Sequence, residues 1–229
     1  MARYLIIGGS RGIGRATAED LDGAGHEILS VSRTRSDVGT WIKADIGTME
    51  GVQSVLDAMG DTRLDGLLFL GGIWEQGAFV GGYDFLKSPA EEIRNVIAVN
   101  LTAPILLAQG LTPNLAQADN ARIILIGSTS GLPNSATVEV ANTASKFGLM
   151  GAAEALNLAL RPQGIATTVI NPDNVDTPEV LEDIQTGDFA PQIPVHMSDV
   201  TGTIRYVLSL SAATVPGAID LRQTQPAER

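Results

Sequence analysis

Short apolar runs alternate along the chain with segments whose apolar residues recur at helical spacing. The apolar runs predict strands at residues 4–7, 27–33, 41–46, 64–70, 122–127, 166–170 and 218–221. The helically spaced segments predict helices at residues 13–21, 49–59, 88–100, 138–160 and 200–210. Continuously apolar strands separated by helices are typical of parallel strands that are buried on both faces. Right-handed crossovers then predict an α/β fold, a Rossmann-type doubly wound parallel β-sheet with helices on both faces.

No repeat, low-complexity tract or linker interrupts this alternation, so we expect a single domain over residues 1–229. The least regular stretch is residues 178–199, which contains Pro178, Pro191 and Pro194. Long irregular loops in compact domains are often functional lids. We therefore expect a substrate lid around residues 178–199, with a plain surface loop as the alternative.

Glycines directly follow the first predicted strand, at Gly8, Gly12 and Gly14. A backbone that bends sharply and approaches a phosphate leaves no room for Cβ atoms. The free N–H groups and the dipole of the helix that begins there favour an anion. The spacing is G-x-x-x-G-x-G, which differs from the general dinucleotide fingerprint. The loop indicates nucleotide binding, although a purely steric turn uses the same glycines.

Composition and charge restrict the function classes. Hydrophobic residues make up 44% of the chain, which is enough for a sheet buried on both faces. The net charge of −11 argues against a nucleic-acid or anionic membrane surface, and no stretch approaches the ~18 apolar residues of a membrane span. The chain has no cysteine and only two histidines, His26 and His196, so neither a disulfide nor a metal site is expected. We expect a cytoplasmic protein without nucleic-acid or membrane partners.

Several ordered motifs are similar to those of the short-chain dehydrogenase/reductase family, over nearly the whole chain. They are the glycine loop, Asp45-Ile46, Val99-Asn100-Leu101, Gly127-Ser128-Thr129-Ser130-Gly131 and the stretch from Asn171 to Pro178. In that family the corresponding segments bind the cofactor phosphates, contact adenine, carry a catalytic asparagine, carry a catalytic serine and line the nicotinamide. The resemblance implies a nicotinamide cofactor and a small-molecule substrate.

The resemblance also implies roles for individual residues. Ser128 would hydrogen-bond the substrate oxygen, Lys146 would contact the nicotinamide ribose, and Asn100 would maintain a water path. With Asn142, these residues are the catalytic candidates. The cofactor-binding candidates are Gly8, Ser10, Arg11, Gly12, Ile13, Gly14, Arg33, Thr34, Asp45, Ile46, Gly71, Gly72, Lys146, Pro172, Val175 and Thr177.

The chain departs from the family at its central Tyr-x-x-x-Lys signature. The frame that ends at Lys146 has asparagine, Asn142, at the tyrosine position. Residues four apart share one helix face, so Asn142 is expected to face the same pocket as Lys146. An amide cannot release a proton as a phenol can. Either the donor has moved, with His196 or Tyr83 as candidates, or Asn142 orients a ligand and the site has abandoned carbonyl reduction.

Two smaller departures lie in the loops around the pocket. Of the family's Asn-Asn-Ala-Gly element, the segment Phe69-Leu70-Gly71-Gly72 keeps only the final glycine, and Asp173 replaces the glycine that usually follows Pro172. The cofactor half of the site is therefore better kept than the acid–base half.

The end of the second predicted strand indicates the preferred cofactor. It reads Ser32-Arg33-Thr34-Arg35, where an NAD-preferring site would place an acidic residue for the ribose 2′-hydroxyl. Guanidinium groups suit a 2′-phosphate because they offer several donors and a permanent charge. With Arg11 in the glycine loop, these residues favour NADP(H). The alternative is that Arg33 and Arg35 simply face water.

Three functions remain open at this point. The first is an NADP(H)-dependent oxidoreductase acting on a carbonyl/alcohol pair through a substitute proton route. The second is a non-redox enzyme on the same scaffold, such as an isomerase, lyase or cyclase. The third is a nucleotide-binding sensor or assembly protein without chemistry. Retention of Asn100, Ser128 and Lys146 favours an enzyme.

The resemblance further implies self-association. In the family, the long helices after the fourth and fifth strands commonly pack against a neighbouring subunit. The second of these helices is rich in small residues: Gly148, Gly151, Ala152, Ala153 and Ala155. We expect a homodimer or homotetramer, with tight packing of these residues against the sheet as the alternative.

Overall fold

The computed structural model describes residues 1–78 and 81–224, which form a seven-stranded sheet in the order β3-β2-β1-β4-β5-β6-β7. The strands are β1 (Arg3–Ile7), β2 (Glu27–Ser32), β3 (Thr40–Lys43), β4 (Gly66–Phe69), β5 (Arg122–Ile126), β6 (Ala166–Pro172) and β7 (Ala218–Leu221). The helices are α1 (Gly12–Gly23), α2 (Met49–Met59), α3 (Ala90–Ile97), α4 (Ala103–Gly110), α5 (Thr112–Leu115), α6 (Val140–Leu160), α7 (Pro178–Thr186) and α8 (Met197–Ser209). All of these neighbouring strands pair in parallel, so the predicted doubly wound α/β fold is confirmed.

The strand order reverses beside β1. The chain moves outward from β1 to β2 and β3, and then returns to place β4 on the other side of β1. Ile7 at the end of β1 therefore pairs with both Val31 of β2 and Phe69 of β4. Loops that leave the strands at such a reversal diverge toward opposite faces, and a crevice opens at the carboxyl ends.

Two apolar clusters cover the two faces of the sheet. Successive strand residues point to opposite faces, so Leu5 and Ile7 belong to one cluster and Ile6 belongs to the other. The first cluster includes residues of α2, α4 and α6, and the second includes residues of α1 and α8. Burying each large aliphatic side chain contributes about 1.5–3 kcal/mol of transfer free energy. The buried central strands therefore support the loops at their carboxyl ends. Among the described residues, no helix is both long and apolar enough to cross a membrane.

The helix predicted over residues 88–100 begins later and changes its winding. Pro89 is still extended (ψ 139°), so α3 begins at Ala90. A π-helical turn, Ala98–Thr102, joins α3 to α4. Such wide turns are frequent at functional sites, and this one carries Asn100.

Residues 178–199 are more regular than the sequence interpretation suggested. They contain α7, which begins after Thr177, and Thr177 Oγ1 accepts a hydrogen bond from a backbone N–H of the first turn (3.3 Å). The helix ends at Gly187, which has a left-handed φ of 85°. A parallel bridge between Val175 and Val195 ties the following loop to the loop after β6. The expectation of an irregular stretch is wrong for the residues of α7.

Candidate active site

A cleft of about 560 Å³ opens at the carboxyl ends of the strands. It brings together predicted site residues that are far apart in the sequence. Those that line it are Gly8, Ser10, Arg11, Gly12, Ile13, Arg33, Thr34, Asp45, Ile46, Gly71, Gly72, Ser128, Asn142, Lys146, Pro172, Val175 and Thr177. Gly14 and Asn100 are not among the lining residues; Gly14 packs against Gly8, and Asn100 forms hydrogen bonds with Ile73.

The glycine loop approaches the loop after β4 too closely for side chains. Gly8 has a φ of +89°, and a Cβ on it would lie 2.6 Å from the Cα of Gly71. A Cβ on Gly14 would lie 2.2 Å from the carbonyl oxygen of Gly8, so Gly14 allows α1 to pack against the loop. The Arg11 side chain, just before α1 begins at Gly12, makes no capping hydrogen bond. The first-turn N–H groups are therefore available to an anion.

Polar side chains line the end of the cleft near β2 and β3. Thr34 Oγ1 donates to Ser10 Oγ (3.0 Å), which links the loop after β2 to the glycine loop. Arg33 is exposed and lines the cleft, whereas Arg35 is exposed outside it. Asp45 Oδ1 accepts a hydrogen bond from the backbone N–H two residues later (3.0 Å), which fixes its carboxylate in a turn. This end of the cleft thus offers both a guanidinium group and a positioned carboxylate.

α7 and the loop after it form a further wall. Glu179, Val180 and Asp183 of the helix and Phe189 of the loop line the cleft. Arg11 Nη1 lies 3.4 Å from Glu179 Oε1, and both side chains are mostly exposed. Exposed ion pairs contribute little to stability, so an anionic ligand can compete for Arg11.

Lys146 is buried in α6 and reaches the cleft from the side of β5. Its Nζ donates to the carbonyl oxygen of Ile126 (3.0 Å). Burial disfavours the charged ammonium and lowers the pKa of Lys146 to about 8. The buried ammonium therefore loses its proton at a lower pH than an exposed lysine does.

Asn142 lies one helical turn before Lys146, and both line the cleft. Asn142 is buried, and its backbone carbonyl accepts a hydrogen bond from Ser145 Oγ (2.6 Å). Its side-chain amide can offer one acceptor and two donors to the cleft.

Asn100 fixes the wall of the cleft rather than lining it. Its Oδ1 accepts from the Ile73 N–H (2.9 Å), and its Nδ2 donates to the Ile73 carbonyl (2.7 Å). A Cβ on Gly72 would lie 3.5 Å from Asn100 Oδ1 and 3.6 Å from Lys146 Nζ. A Cβ at position 72 would therefore be in ordinary van der Waals contact with both polar groups.

Ser128 follows β5 and is oriented by its neighbour. Its Oγ accepts hydrogen bonds from the backbone N–H of Ser130 (3.1 Å) and from Ser130 Oγ (3.0 Å). Because both lone pairs are engaged, the Ser128 hydroxyl proton remains for donation to a ligand. Asp173, directly after β6, accepts hydrogen bonds from Thr129 Oγ1 and from the Gln223 N–H (2.8 Å for the latter).

Glu75 is a site residue that the sequence interpretation missed. It is 1% exposed, and its Oε1 accepts from the N–H groups of Ala141 (2.7 Å) and Asn142 (3.2 Å). The carboxylate of a distant loop therefore caps the helix that carries Asn142 and Lys146. A single acidic residue in a glycine-rich loop gives no sequence signal of this contact.

The two proposed replacement proton donors lie outside the cleft lining. His196 Nδ1 is 3.0 Å from Asp176 Oδ2, and this hydrogen bond raises the pKa of the largely exposed imidazole. Tyr83 OH accepts a hydrogen bond from the Val140 N–H (3.4 Å) at the start of α6. No tyrosine lines the cleft in the described ranges 1–78 and 81–224. Within the same ranges, no cluster of three or more His, Asp or Glu side chains could bind a metal ion.

Comparison with known sequences identifies one family. Residues 3–186 match the profile of the short chain dehydrogenase family. The chain is 28% identical over 244 residues to the short chain dehydrogenase adrF of Penicillium roqueforti, covering 94% of this chain and 93% of adrF. It is 27% identical over 228 residues to the 3-oxoacyl-[acyl-carrier-protein] reductase MabA of Mycobacterium tuberculosis, covering 94% of this chain and 88% of MabA.

Solved structures share the fold over the full chain. A short chain dehydrogenase family protein from Francisella tularensis superposes with a TM-score of 0.82 at 24% identity, covering 97% of both chains. The protein BdcA, in complex with NADPH, superposes with a TM-score of 0.84 at 21% identity, covering 100% of this chain and 96% of BdcA.

Proposed function

Because the chain belongs to the short chain dehydrogenase family, we propose that it is an NADP(H)-dependent oxidoreductase acting on a carbonyl/alcohol pair, with Asn142 in place of the family's tyrosine. One observation carries this proposal. A single cleft is lined both by the glycine loop after β1 and by Ser128, Asn142 and Lys146. The substrate is a small molecule that reaches Ser128, Asn142 and Lys146.

The residues present fit a dinucleotide phosphate. The close approach of Gly8 and Gly71 leaves a groove that a Cβ would fill, and the uncapped start of α1 supplies N–H donors. Arg33 and Arg11 provide positive charge where a ribose 2′-phosphate would lie, beyond the end of β2. Asp45 and Ile46 would contact the adenine, and Pro172, Val175 and Thr177 would line the nicotinamide.

The cofactor and the protein would supply different parts of the reaction. When bound, the nicotinamide supplies the hydride. Ser128 donates its free hydroxyl proton as a hydrogen bond to the substrate oxygen, on which negative charge develops during reduction. The Asn142 amide adds a second donor at the same oxygen. Lys146 Nζ, charged in the complex with the anionic dinucleotide, can pass a proton to the reduced substrate oxygen and so complete the alcohol.

α7 and the loop after it serve as the lid over this site. Val180 and Phe189 shield the nicotinamide end from water, while the Arg11–Glu179 pair must open when phosphate competes for the guanidinium. Cofactor binding then changes the contacts of α7 with the glycine loop.

A second candidate is an NADP(H)-binding protein without redox chemistry. It is favoured by the absence of any tyrosine from the cleft lining in the part of the chain that the structure describes. In that case Asn142 orients a ligand, and the cleft serves sensing, assembly or a non-redox reaction.

Anaerobic incubation with NADPH and a panel of ketones, diketones and aldehydes tests the proposed function. We expect loss of reduced-nicotinamide absorbance with at least one carbonyl, and the loss should be abolished in Ser128→Ala and Lys146→Met. Calorimetric titration with NADPH accompanies the assay. Tight NADPH binding without turnover on any carbonyl would favour the second candidate instead.

A further inference from the structure

Hydrogen bonds fix the loop after β4 on both sides of Trp74. Ile73 exchanges two backbone hydrogen bonds with the Asn100 amide (2.9 and 2.7 Å). Glu75, two residues later, caps α6 through the N–H groups of Ala141 and Asn142 (2.7 and 3.2 Å). Trp74 lies between these anchors, so its backbone position is set by the same residues that shape the catalytic end of the cleft.

The Trp74 side chain lines the cleft and is 56% exposed. An aromatic side chain on a fixed backbone that lines a cleft offers apolar surface to a ligand. The neighbouring lining is also apolar, with Ile73 and Ala78 on the same loop and Val180 and Phe189 on the lid side. By strand order this is the β4–β6 end of the cleft, away from the region of the adenine-binding candidates.

Two carboxylates and one buried lysine supply the charge at this end of the cleft. Asp173 and Asp183 line it from opposite elements, the loop after β6 and α7. The exposed cations of the cleft, Arg11 and Arg33, come from the glycine loop and the end of β2, and Lys146 is buried against Ile126. A carboxylate or phosphate on the substrate would meet like charge from these two carboxylates, and Arg11, the exposed cation that reaches α7, is paired with Glu179 (3.4 Å).

We propose that the substrate is an uncharged carbonyl compound with a bulky apolar body, and that Trp74 is the residue that selects for this body. This proposal rests on the oxidoreductase function proposed above. Trp74 packs its indole face against the apolar body while Ser128 binds the carbonyl oxygen. Asp173 and Asp183 discriminate against anionic analogues of the same shape.

Steady-state kinetics of Trp74 variants test the proposal. The probes are a neutral aryl alkyl ketone and its carboxylate-bearing analogue, assayed with NADPH. We expect wild type to prefer the neutral ketone. Trp74→Ala should lower kcat/KM for it by about tenfold to a hundredfold, mainly through KM, because apolar contact surface is lost. Trp74→Phe should recover most of this loss. Phe85→Ala, which removes a comparably exposed aromatic outside the cleft, should change nothing.

A binding measurement separates this proposal from the redox function. The chain has two tryptophans, Trp41 and Trp74, so Trp41→Phe leaves Trp74 as the single fluorescent reporter. Titration with the neutral ketone in the presence of NADP⁺ should quench its emission, and the carboxylate analogue should quench it at much higher concentration. Quenching by the neutral ketone without turnover would support the proposed substrate class and would contradict the redox function. Equal kinetics for Trp74→Ala and Phe85→Ala, equal use of both ketones, or no quenching by the neutral ketone would overturn the proposal.

Discussion

At the scale of single residues, burial lowers the pKa of Lys146. Its stem is buried in α6, and Nζ donates to a backbone carbonyl at 3.0 Å. Burial disfavours the charged form, which lowers the pKa to about 8 from the ordinary value of 10.5. An anionic dinucleotide in the cleft would favour the charged form and raise this pKa again. Cofactor binding and protonation of Lys146 are therefore coupled.

This coupling gives a pH dependence. Because the complex keeps Lys146 charged, NADPH binding should take up a proton near pH 8, and affinity should fall as pH rises through about 8. Calorimetry in two buffers of different ionisation enthalpy measures the uptake. Lys146→Met should abolish it, whereas Lys87→Met, at an exposed lysine paired with Asp84, should not. Uptake that persists in Lys146→Met would assign the coupling to another group.

Arg33 and Arg35 form a natural pair for testing cofactor choice, because both are exposed and only Arg33 lines the cleft. Arg33→Ala should weaken NADPH binding by about 1.5–3 kcal/mol, the range for hydrogen bonds to charged groups, and barely change NADH binding. Arg35→Ala should leave both unchanged. Titration of each variant with both nucleotides decides the point; equal losses for NADPH and NADH would remove the 2′-phosphate assignment.

Most of the sequence motifs that line the cleft directly follow a strand, and parallel strands bring their carboxyl ends together. Asn142 and Lys146 reach the cleft from α6 instead. The same reasoning could not find Glu75, whose contacts with Ala141 and Asn142 exist only after β4 and α6 are packed side by side. It also placed Asn100 in the site without showing that its amide binds the Ile73 backbone.

At the scale of elements, the start of α6 is capped from outside its own sequence. The residue before the helix, Glu139, makes no side-chain cap. Glu75 accepts from Ala141 and Asn142, and Tyr83 OH accepts from Val140. Residues of the loop after β4 therefore supply the acceptors at the start of α6.

Removing this cap should loosen α6. Glu75→Ala leaves two buried N–H groups without an acceptor and should lower the free energy of unfolding by about 1–3 kcal/mol in urea titrations. Glu75→Gln, which keeps one oxygen, should cost less. Thr48→Ala removes the cap of α2, where Oγ1 accepts from Gly51 (3.0 Å), and serves as the matched control.

Cofactor binding distinguishes the two caps. At 25 °C we expect Glu75→Ala to weaken NADPH binding, because α6 carries Lys146, and Thr48→Ala to leave it unchanged. If both variants lose stability and bind NADPH alike, the loop stabilises the fold without positioning the site.

α7 forms although residues 178–199 contain three prolines. Pro178 occupies the first helical position, where its missing N–H costs nothing. Thr177 before it and Gly187 after α7 are ordinary start and stop signals. The sequence therefore contains local signals for this helix, whereas the number of prolines alone predicts an irregular stretch.

At the scale of the whole molecule, some small residues of α6 pack inside the molecule and others face outward. Gly148 and Ala153 serve internal packing, since a Cβ on Gly148 would lie 2.7 Å from Leu101 and Ala153 is buried. Gly151 faces open space, and Leu158, two turns further along the helix, is 70% exposed. The outward surface of this helix is where we expect a second copy of the chain to pack.

A bulky charged residue on that surface should prevent association. Gly151→Arg should convert a dimer or tetramer to monomer in light scattering at micromolar concentration, without unfolding, since a Cβ there meets nothing within 4 Å. Gly202→Arg, at an equally open glycine of α8, should keep the oligomer. A monomeric wild-type protein would contradict the expected assembly.

The central claim is that the cleft retains a hydride-transfer site from which only the phenol is missing. The most direct measurement compares NADPH oxidation by wild type and Asn142→Tyr with generic ketones and diketones under anaerobic conditions. General acid catalysis is worth roughly a hundredfold to ten-thousandfold, so we expect the variant to exceed a slow wild type by a factor in this range. The gain should disappear when Lys146→Met is added. Tight NADPH binding by both proteins with no oxidation by either would contradict the redox function.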